Sequence, residues 1–464
     1  MAAALHLQQL KDCDADVQLF EAGPQLGGVL RTTRERGYLI EHSADNFITN
    51  VRWAVDVCER IGISNQLLQT DDCFRRAFVV HRDKLLPVPD GFALMAPARL
   101  WPIVTTKLLS IRGKLRLAWE YFLPPRRHED ESLQSFATRR LGKETYERIV
   151  QPLVGGIYTA DPQRLSLAAT LPRFLEMEHK HGGLIRGALR QSAPKKSNAR
   201  LSADQSASGA RYSLFVAPRE GMGSLVAAMA DALPDGCVRL NTKVERICCE
   251  AGERWRVQIA EEEHPEEFDH VIVATPAMIA SRLLADTDGA LSKLLDGIPY
   301  AGASVVCLGY RRDQIDHPLD GFGFVVPAVA NRKILAGSFS SVKYPGRAPE
   351  GHVLIRVFVG GALQPELAAL PDDDLQQLAQ QELADLIGAS GEPDLCHVTR
   401  WEGAMPQYHL GHLDRISQIE GHIAALPGLH LAGNAYHGVG IPQCIHSGQQ
   451  AAERTHEAII HANS

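Results

Sequence analysis

Residues 21–32 have the types and spacing of a loop that could bind the pyrophosphate of a nucleotide. Glu21 ends a short apolar segment, and the pair Gly27 and Gly28 and then Arg31 follow it. A pyrophosphate needs backbone N–H groups at close range and at least one fixed cation, and this loop supplies both. An acid at the end of a strand is also the residue type that holds ribose hydroxyls in dinucleotide-binding units.

A second glycine-rich segment lies near the C-terminus. Residues 429–431 are typical of a strand end, and residues 445–452 are typical of a helix. The turn between them contains glycines that let a backbone approach a flat ligand closely, namely Gly433, Gly438 and Gly440. The two segments together predict one nucleotide site built from both ends of the chain.

The elements that must position Glu21 are only partly present in the sequence. A dinucleotide-binding unit runs in the order strand, G-x-G-x-x-G, helix, strand and acid. Residues 1–10 are typical of a helix without a cap, and residues 17–21 of the second strand, whereas the first strand and its glycines are absent. One interpretation is an ordinary N-terminal helix before an edge strand. The other is a reading frame started at an internal methionine, which predicts that the preceding DNA encodes the missing motif.

Several motifs indicate a family. Residues 21–32 resemble the E-x(5)-G-G-x-x-R-T signature of flavoproteins related to amine oxidases. Residues 151–161, 165–167 and 436–445 resemble the oxygen-dependent, FAD-containing protoporphyrinogen oxidases, and the resemblance extends from residue 1 to about residue 452. It implies oxidation of protoporphyrinogen IX to protoporphyrin IX in heme biosynthesis. FAD would accept hydride from the ring methylenes, and O₂ would reoxidise it and yield H₂O₂.

The fold that the resemblance implies is α/β, or α+β overall, with three parts. A discontinuous Rossmann-like FAD-binding domain would comprise residues 1–73, 211–285 and 403–464. Residues 90–190 would form a helical lobe, and residues 301–400 a mixed-sheet substrate domain. Residues 191–210 are polar and lack apolar periodicity, so we expect a flexible loop there.

The resemblance implies that FAD is held by residues from four parts of the chain, namely Glu21, Gly27, Gly28, Val29, Arg31, Ser43, Ala44, Asp45, Asn46, Val244, Trp401, Asn434, Val439, Gly440 and Ile441. Asp45 and Asn46 would lie near the reacting edge of the flavin. No side chain is assigned as a certain catalytic group, and no metal is expected. Two positions depart from the family pattern: Ser43 stands where many members have glycine, and His437 where many have an acid.

Four residues are implied to contact the substrate. Gly156 would offer its backbone carbonyl to the pyrrole N–H groups, and Arg76, with Arg75 as a competitor, would pair with a propionate. Val325 and Tyr344 would contribute to an apolar slot. A purely structural role is the alternative for each, with the arginines at the surface and the other two side chains in the core.

Composition indicates an ordinary globular enzyme. The chain has 464 residues with 45% hydrophobic content, enough for one large core or two to three smaller ones. A formal net charge of −7 gives no reason to expect nucleic acid as a partner. Nine cysteines without C-x-x-C pairs indicate reduced thiols and hence a cytoplasmic protein. No oligomeric state follows from the sequence.

Residues 94–127 differ from the rest of the chain. They combine aromatic and aliphatic residues with seven cations, and their one acid is Glu120. Such a segment could attach the protein peripherally to the anionic inner face of the cell membrane. The alternative is a pair of core-packed helices with a solvated basic face.

Three classes of function stay open at this point. The first is a porphyrinogen oxidase acting on protoporphyrinogen IX or on coproporphyrinogen III. The second substrate carries more carboxylates, and basic candidates to meet them are Arg186, Arg190, Lys195 and Lys196. The second class is a related flavin enzyme that oxidises amines or desaturates carotenoids. The third is a non-enzymatic chain that cannot hold FAD because the first strand is missing.

Overall fold

The computed structural model describes residues 1–10, 15–126, 130–192, 215–249 and 254–462. Within them the predicted mixed α/β class is confirmed, with a nucleotide layer, a helical lobe and one large sheet. Most of the predicted flexible loop, including Lys195 and Lys196, lies outside the described residues.

A seven-stranded mixed sheet is the largest element. Its strands, in spatial order, are Leu395–Pro406, Tyr300–Arg311, His352–Gly360, Ala336–Phe339, Gly323–Val325, Phe78–His81 and Lys84–Pro87. All neighbours pair antiparallel except Gly323–Val325 and Phe78–His81, which pair parallel. The predicted sheet domain began at residue 301, so it did not include the two strands from the N-terminal third of the chain.

The two faces of this sheet have different roles because side chains alternate along each strand. On the strand His352–Gly360, Val353, Ile355, Val357 and Val359 pack in one core with the helix Asp372–Ile387. That helix presents Leu375, Ala379, Leu383 and Leu386 at helical spacing. The other face carries Leu354, Arg356 and Phe358 and turns toward the nucleotide layer.

The nucleotide layer is assembled from distant segments. Its parallel pairs are Leu19–Phe20 with Val238–Arg239, and Val271–Val273 with Leu429–Leu431. Seven helices surround them: Ala2–Gln9, Trp53–Arg60, Met222–Asp231, Ala277–Leu283, Gly289–Asp296, His412–Ala424 and Ile441–Ala462. The last of these packs against the first so closely that a Cβ on Gly448 would lie 3.0 Å from the Ala2 Cβ.

Smaller sheets complete the layer. One has the order Phe47–Ile48, Phe215–Pro218, Leu67–Gln69, and another the order Val244–Cys248, Trp255–Ile259, Glu266–Phe268. Two further hairpins pair Thr32–Glu35 with Tyr38–Glu41 and Phe92–Ala93 with Ala96–Pro97. Short helices lie at Ser64–Gln66, Asp72–Phe74, Arg312–Gln314, Ala328–Ala330, Ser340–Lys343 and Pro365–Ala368.

The helices between residues 101 and 192 form the helical lobe. Its elements are Trp101–Thr105, Ile111–Ala118, Trp119–Phe122, Leu133–Leu141, Lys143–Thr145, Tyr146–Val150, Gln151–Tyr158, Leu167–Thr170, Pro172–His181 and Leu184–Ser192. In the part of the chain that the structure describes, no helix has the length and apolar character needed to cross a bilayer.

Candidate functional site

Glu21 lies just past the end of the parallel pair, where a ribose-binding acid belongs. Its backbone N–H donates to the Arg239 carbonyl at 3.0 Å, which continues the strand pairing by one residue. Its Oε1 accepts from the Gly23 N–H at 2.7 Å. This bond holds the half-buried carboxylate at the edge of the loop that carries the glycine pair.

The glycine pair adopts backbone conformations that other residues avoid. Gly27 has φ +103°, and a Cβ there would lie 2.9 Å from both Val226 methyls. Gly28 has φ +58° and nothing within 4 Å of its would-be Cβ, so its backbone faces open space. Arg31 donates from Nε to the Gly28 carbonyl at 3.0 Å, and its guanidinium lies 5.7 Å from the centre of the Trp401 ring.

The segment from His42 to Asn46 packs directly on this loop. Ser43 donates from Oγ to the Val29 carbonyl at 2.6 Å, and Trp401 donates from Nε1 to the His42 carbonyl at 2.8 Å. Asn46 donates to Asp45 Oδ1 at 2.6 Å, while Ala44 is exposed. The predicted cofactor residues from the N-terminal segment and Trp401 therefore lie together in the fold.

Asp45 is buried between two cations of the large sheet. Its Oδ2 accepts from Lys343 Nζ at 2.8 Å and lies 3.3 Å from Arg356 Nη1. Burial alone would raise the pKa of this carboxyl, but the charges of Lys343 and Arg356 outweigh it and lower the pKa to about 2. Asp45 is therefore an anion at neutral pH, and Arg356 also donates to the Ser43 carbonyl beside it.

A second buried acid, Glu41, lies at the end of the strand Tyr38–Glu41. It accepts from Thr32 Oγ1 at 2.6 Å and from the Met222 N–H at 2.8 Å. Burial raises its pKa, against the lowering effect of these hydrogen bonds and of Arg347 and Arg356. Because Met222 begins a helix, this carboxyl joins the hairpin to the helix N-terminus.

His42 is held as a neutral ring. Its Nε2 lies 2.7 Å from Thr33 Oγ1 and its Nδ1 lies 3.0 Å from Thr399 Oγ1. Burial, with smaller effects from the nearby His397, Arg31 and Arg356, lowers the pKa of His42 to about 4. The His42 ring thus joins the strand Thr32–Glu35 to the large sheet without adding charge at neutral pH.

The C-terminal turn is the second predicted part of the cofactor site. Gly433 has φ +124° with open space at its would-be Cβ, and its N–H donates to Ser447 Oγ at 3.1 Å. Val439 packs against the core of the helical lobe, and Gly440 directly precedes the helix that begins at Ile441. The exposed His437 pairs with Glu420 at 3.0 Å, so its ring is held away from the turn's backbone.

Asn434 and Val244 are the remaining predicted cofactor residues. Asn434 lies in the C-terminal turn, where its carbonyl accepts from a buried hydroxyl, that of Tyr408, at 2.5 Å. Val244 begins the strand Val244–Cys248, and its side chain packs on the core that also includes the turn residue Tyr436. That both contact FAD stays a prediction.

The predicted substrate residues fall into two groups. Gly156 and Val325 face each other across the boundary of lobe and sheet, because a Cβ on Gly156 would lie 3.6 Å from a Val325 methyl. Tyr344 is only 1% exposed, and its hydroxyl has no hydrogen-bond partner among the residues that the structure describes. Arg76 is half exposed and pairs with Asp320 at 3.1 Å. Their contact with a substrate stays a prediction.

Three side chains of this site were missed by the sequence-based prediction, namely Lys343, Arg356 and Thr399. One signal was available. Arg356 is the one charged residue in the apolar run VLIRVFV of residues 353–359, and a charge inside a buried strand needs a partner. Lys343 and Thr399 carried no comparable signal, since neither interrupts an apolar pattern.

The residues present fit a flavin dinucleotide. Gly28 and Gly433 both hold their backbones in left-handed conformations with open space in front of them. Such open backbone is what a planar ring and a pyrophosphate approach closely. With FAD bound here, Glu21 would meet the ribose and Arg31 would supply the cation of the same loop, and both contacts stay predictions.

Comparisons with known proteins agree with this geometry. Residues 1–456 match the family described as flavin containing amine oxidoreductase. The coproporphyrinogen III oxidase of Bacillus subtilis (strain 168) is 31% identical over 97% of this chain and 94% of its own length. The mitochondrial protoporphyrinogen oxidase of Nicotiana tabacum is 28% identical over 96% of this chain and 91% of its own length.

Solved structures show the same architecture. A crystal structure from Exiguobacterium sp. 255-15, provisionally named a protoporphyrinogen oxidase, has a TM-score of 0.84 at 30% identity, covering 98% of this chain and 96% of its own. A putrescine oxidase bound to putrescine has a TM-score of 0.65 at 14% identity, covering 99% of this chain and 96% of its own. At that identity the second likeness concerns the fold alone.

Proposed function

Since this chain belongs to the flavin-containing amine oxidoreductase family and is an oxidoreductase with FAD as its cofactor, we propose that it oxidises a porphyrinogen to the corresponding porphyrin. Coproporphyrinogen III is the substrate that we favour. The observation that carries this choice is similarity at 31–33% identity, over 97–98% of this chain, to three bacterial proteins named coproporphyrinogen III oxidase. The plant relatives named protoporphyrinogen oxidase are 25–28% identical, and protoporphyrinogen IX is the second candidate.

The reaction needs few protein acids or bases. Six electrons leave the macrocycle as three hydrides from three bridging carbons, with a net loss of two protons from nitrogens and one from the fourth bridging carbon, and three molecules of O₂ become three of H₂O₂. When bound, FAD supplies the hydride acceptor. The task of the protein is to hold a large ring edge-in at a fixed position and to exclude competing reactions.

The boundary between the helix Gln151–Tyr158 and the sheet suits that task. Gly156 has no side chain, and a Cβ there would already contact Val325 at 3.6 Å, so the two residues border one narrow part of this boundary. Asp45 stays ionised at the pH of the cell because Lys343 and Arg356 hold its charge. We assign Gly156 and Val325 to the macrocycle and Asp45 and Asn46 to the reacting edge.

Porphyrin fluorescence tests the proposal directly. The purified chain with FAD should accelerate the appearance of fluorescence from coproporphyrinogen III over its autoxidation, with matching oxygen consumption. Its kcat/KM for coproporphyrinogen III should exceed that for protoporphyrinogen IX, and the reverse order would assign the second candidate. No acceleration with either substrate, together with turnover of a primary amine, would instead support the amine oxidase alternative.

We also propose that the lobe attaches the protein to a membrane surface. Eight large apolar side chains within residues 100–122 are exposed, among them Trp101 at 75% and Ile111 at 78%. The full set is Leu100, Trp101, Val104, Ile111, Leu115, Trp119, Tyr121 and Phe122. Exposed cations accompany them at Arg99, Lys107, Arg112 and Arg126, whereas the one acid of the segment, Glu120, is fully buried. This combination is typical of peripheral contact with anionic lipid.

Vesicle sedimentation distinguishes this surface from a solvated one. The chain should sediment with vesicles rich in phosphatidylglycerol and much less with pure phosphatidylcholine. Replacing Trp101, Ile111 and Phe122 together by serine should abolish sedimentation. Val329→Ser is the matched control, because Val329 is 51% exposed and lies outside the lobe. Equal sedimentation of the triple variant and the control would rule out the lobe as the contact.

A further inference from the structure

We propose that Tyr408 is a positioning residue that fixes the C-terminal turn, residues 433–440, in the conformation that receives FAD. The proposal rests on the cofactor and not on the identity of the substrate. Tyr408 lies two residues beyond the long strand Leu395–Pro406 and is only 2% exposed.

One hydroxyl holds the turn at two points. Tyr408 OH donates to the Asn434 carbonyl at 2.5 Å and accepts from the Gly438 N–H at 2.8 Å. The two backbone groups are four residues apart in a turn that has no regular secondary structure of its own. Because a hydroxyl can donate and accept at once, it replaces the backbone pairing that a helix or sheet would provide.

His412 supports Tyr408 from the adjoining helix, His412–Ala424. The two rings stack with centroids 4.0 Å apart and an interplanar angle of 12°. His412 Nε2 lies 3.1 Å from the Tyr436 carbonyl, a third backbone atom of the same turn. Burial is the main cause that lowers the pKa of His412 to about 4, so the ring is neutral and donates this bond from Nε2–H.

The other side of Tyr408 is anchored in the helical lobe. Its backbone carbonyl accepts from the Ser166 N–H at 2.8 Å, and its ring belongs to the hydrophobic core of the lobe. The preceding Gln407 donates from Nε2 to the Tyr158 carbonyl at 3.2 Å, at the end of the helix that carries Gly156. Tyr408 and its neighbour are therefore anchored to the lobe, including the helix that carries Gly156.

A catalytic role for the hydroxyl does not fit this geometry. Burial raises the pKa of Tyr408, and its hydroxyl already donates one hydrogen bond and accepts another, both with backbone groups. It has no capacity left to exchange a proton with a ligand. What it can do is set the positions of Asn434 and Gly438, and through them the open backbone at Gly433.

FAD binding by the purified chain tests the proposal. Tyr408→Phe keeps the ring stack and removes both hydrogen bonds to the turn. We expect the Kd for FAD to rise about tenfold or more, with an altered visible circular dichroism of the bound flavin. Tyr146→Phe is the matched control, because the Tyr146 hydroxyl is a similarly buried donor, to Gln134 at 2.9 Å, that does not contact the turn.

The control separates positioning from general stability. A stabilising role alone predicts that both variants lower the melting temperature of the FAD-free chain and leave the FAD Kd unchanged, and that outcome would overturn the proposal. If Tyr408→Phe does not fold, His412→Phe removes only the bond to Tyr436 and should weaken FAD by about threefold to tenfold. A wild-type affinity for FAD in the His412→Phe variant would equally reject the proposal. These measurements need no porphyrinogen. The proposed role of Tyr408 can therefore be rejected while the proposed substrate stands, and the proposed substrate can be rejected while the role of Tyr408 stands.

Discussion

The loss of a single buried arginine should unfold the helical lobe at much lower denaturant concentration. Arg140 has no exposed surface and donates from Nε to Glu120 at 2.8 Å and from Nη1 to Glu178 at 3.4 Å. It also donates to the carbonyls of Pro124 and Gly182, both at 3.2 Å. Arg140→Met would leave two fully buried carboxylates without this cation.

The expected size of the effect follows from that geometry. Removing one partner of a buried ion pair costs about 3–5 kcal/mol, because the remaining charge stays buried and unpaired. The cost should lie at the lower end, since Glu178 keeps Arg139 at 2.8 Å and Glu120 keeps the N–H groups of Leu184 and Ile185. For a loss of about 3 kcal/mol and a urea slope of about 2 kcal/mol/M, the midpoint should fall by about 1.5 M.

The assay is urea unfolding followed by far-UV circular dichroism, which reports the loss of the helices of the lobe. The matched control is Arg52→Met, because Arg52 also bridges two acids, Asp56 and Glu59, but is 62% exposed. An exposed pair is worth about 0–1 kcal/mol, so the control midpoint should barely move. Adding Glu120→Gln to Arg140→Met should restore part of the loss. Equal midpoints for Arg140→Met and Arg52→Met would refute the reasoning.

Three further predictions concern the site. The folded pKa of His42 is about 4, below its ordinary 6.5, so the free energy of unfolding should fall as pH drops from about 6.5 to 4, and His42→Gln should reduce that slope in urea titrations. Lys343→Met should raise the folded pKa of Asp45 toward its unfolded value, so the loss of stability that the wild type shows in urea titrations between about pH 3.8 and 2 should become smaller. Gly156→Ala should raise the KM for the porphyrinogen, because its Cβ would lie in van der Waals contact with Val325 at 3.6 Å and occupy part of the proposed slot, and Gly156→Leu should raise KM further, in both cases without a change in FAD content.

Short-range patterns predicted the parts of the site that depend on local backbone. The glycines at positions 27, 28 and 433, which the sequence indicated as places of close backbone approach, have φ of +103°, +58° and +124°. Residues 445–452, which are typical of a helix in sequence, lie within the helix Ile441–Ala462. Pro442 is compatible with that start, because proline is tolerated in the first turn of a helix.

Long-range pairing lay beyond those patterns. Asp45 and Lys343 are 298 residues apart, and nothing in either local sequence identifies the other as its partner. The parallel pairing of Phe78–His81 with Gly323–Val325 joins strands from distant parts of the chain. Sequence periodicity shows that a strand has two faces, but it does not specify which strand lies beside it.

Arg356 shows how far periodicity can still be used. Along residues 353–359 the odd positions are aliphatic and pack on the helix Asp372–Ile387, so the even position 356 must face the opposite side of the sheet. A charged residue there, 1% exposed, requires an acid or carbonyls on whatever covers that side. The covering loop supplies both, as the Asp45 carboxylate and the Ser43 carbonyl. The lone cation in an apolar strand therefore marks the face of the sheet that is covered by the segment from Ser43 to Asp45.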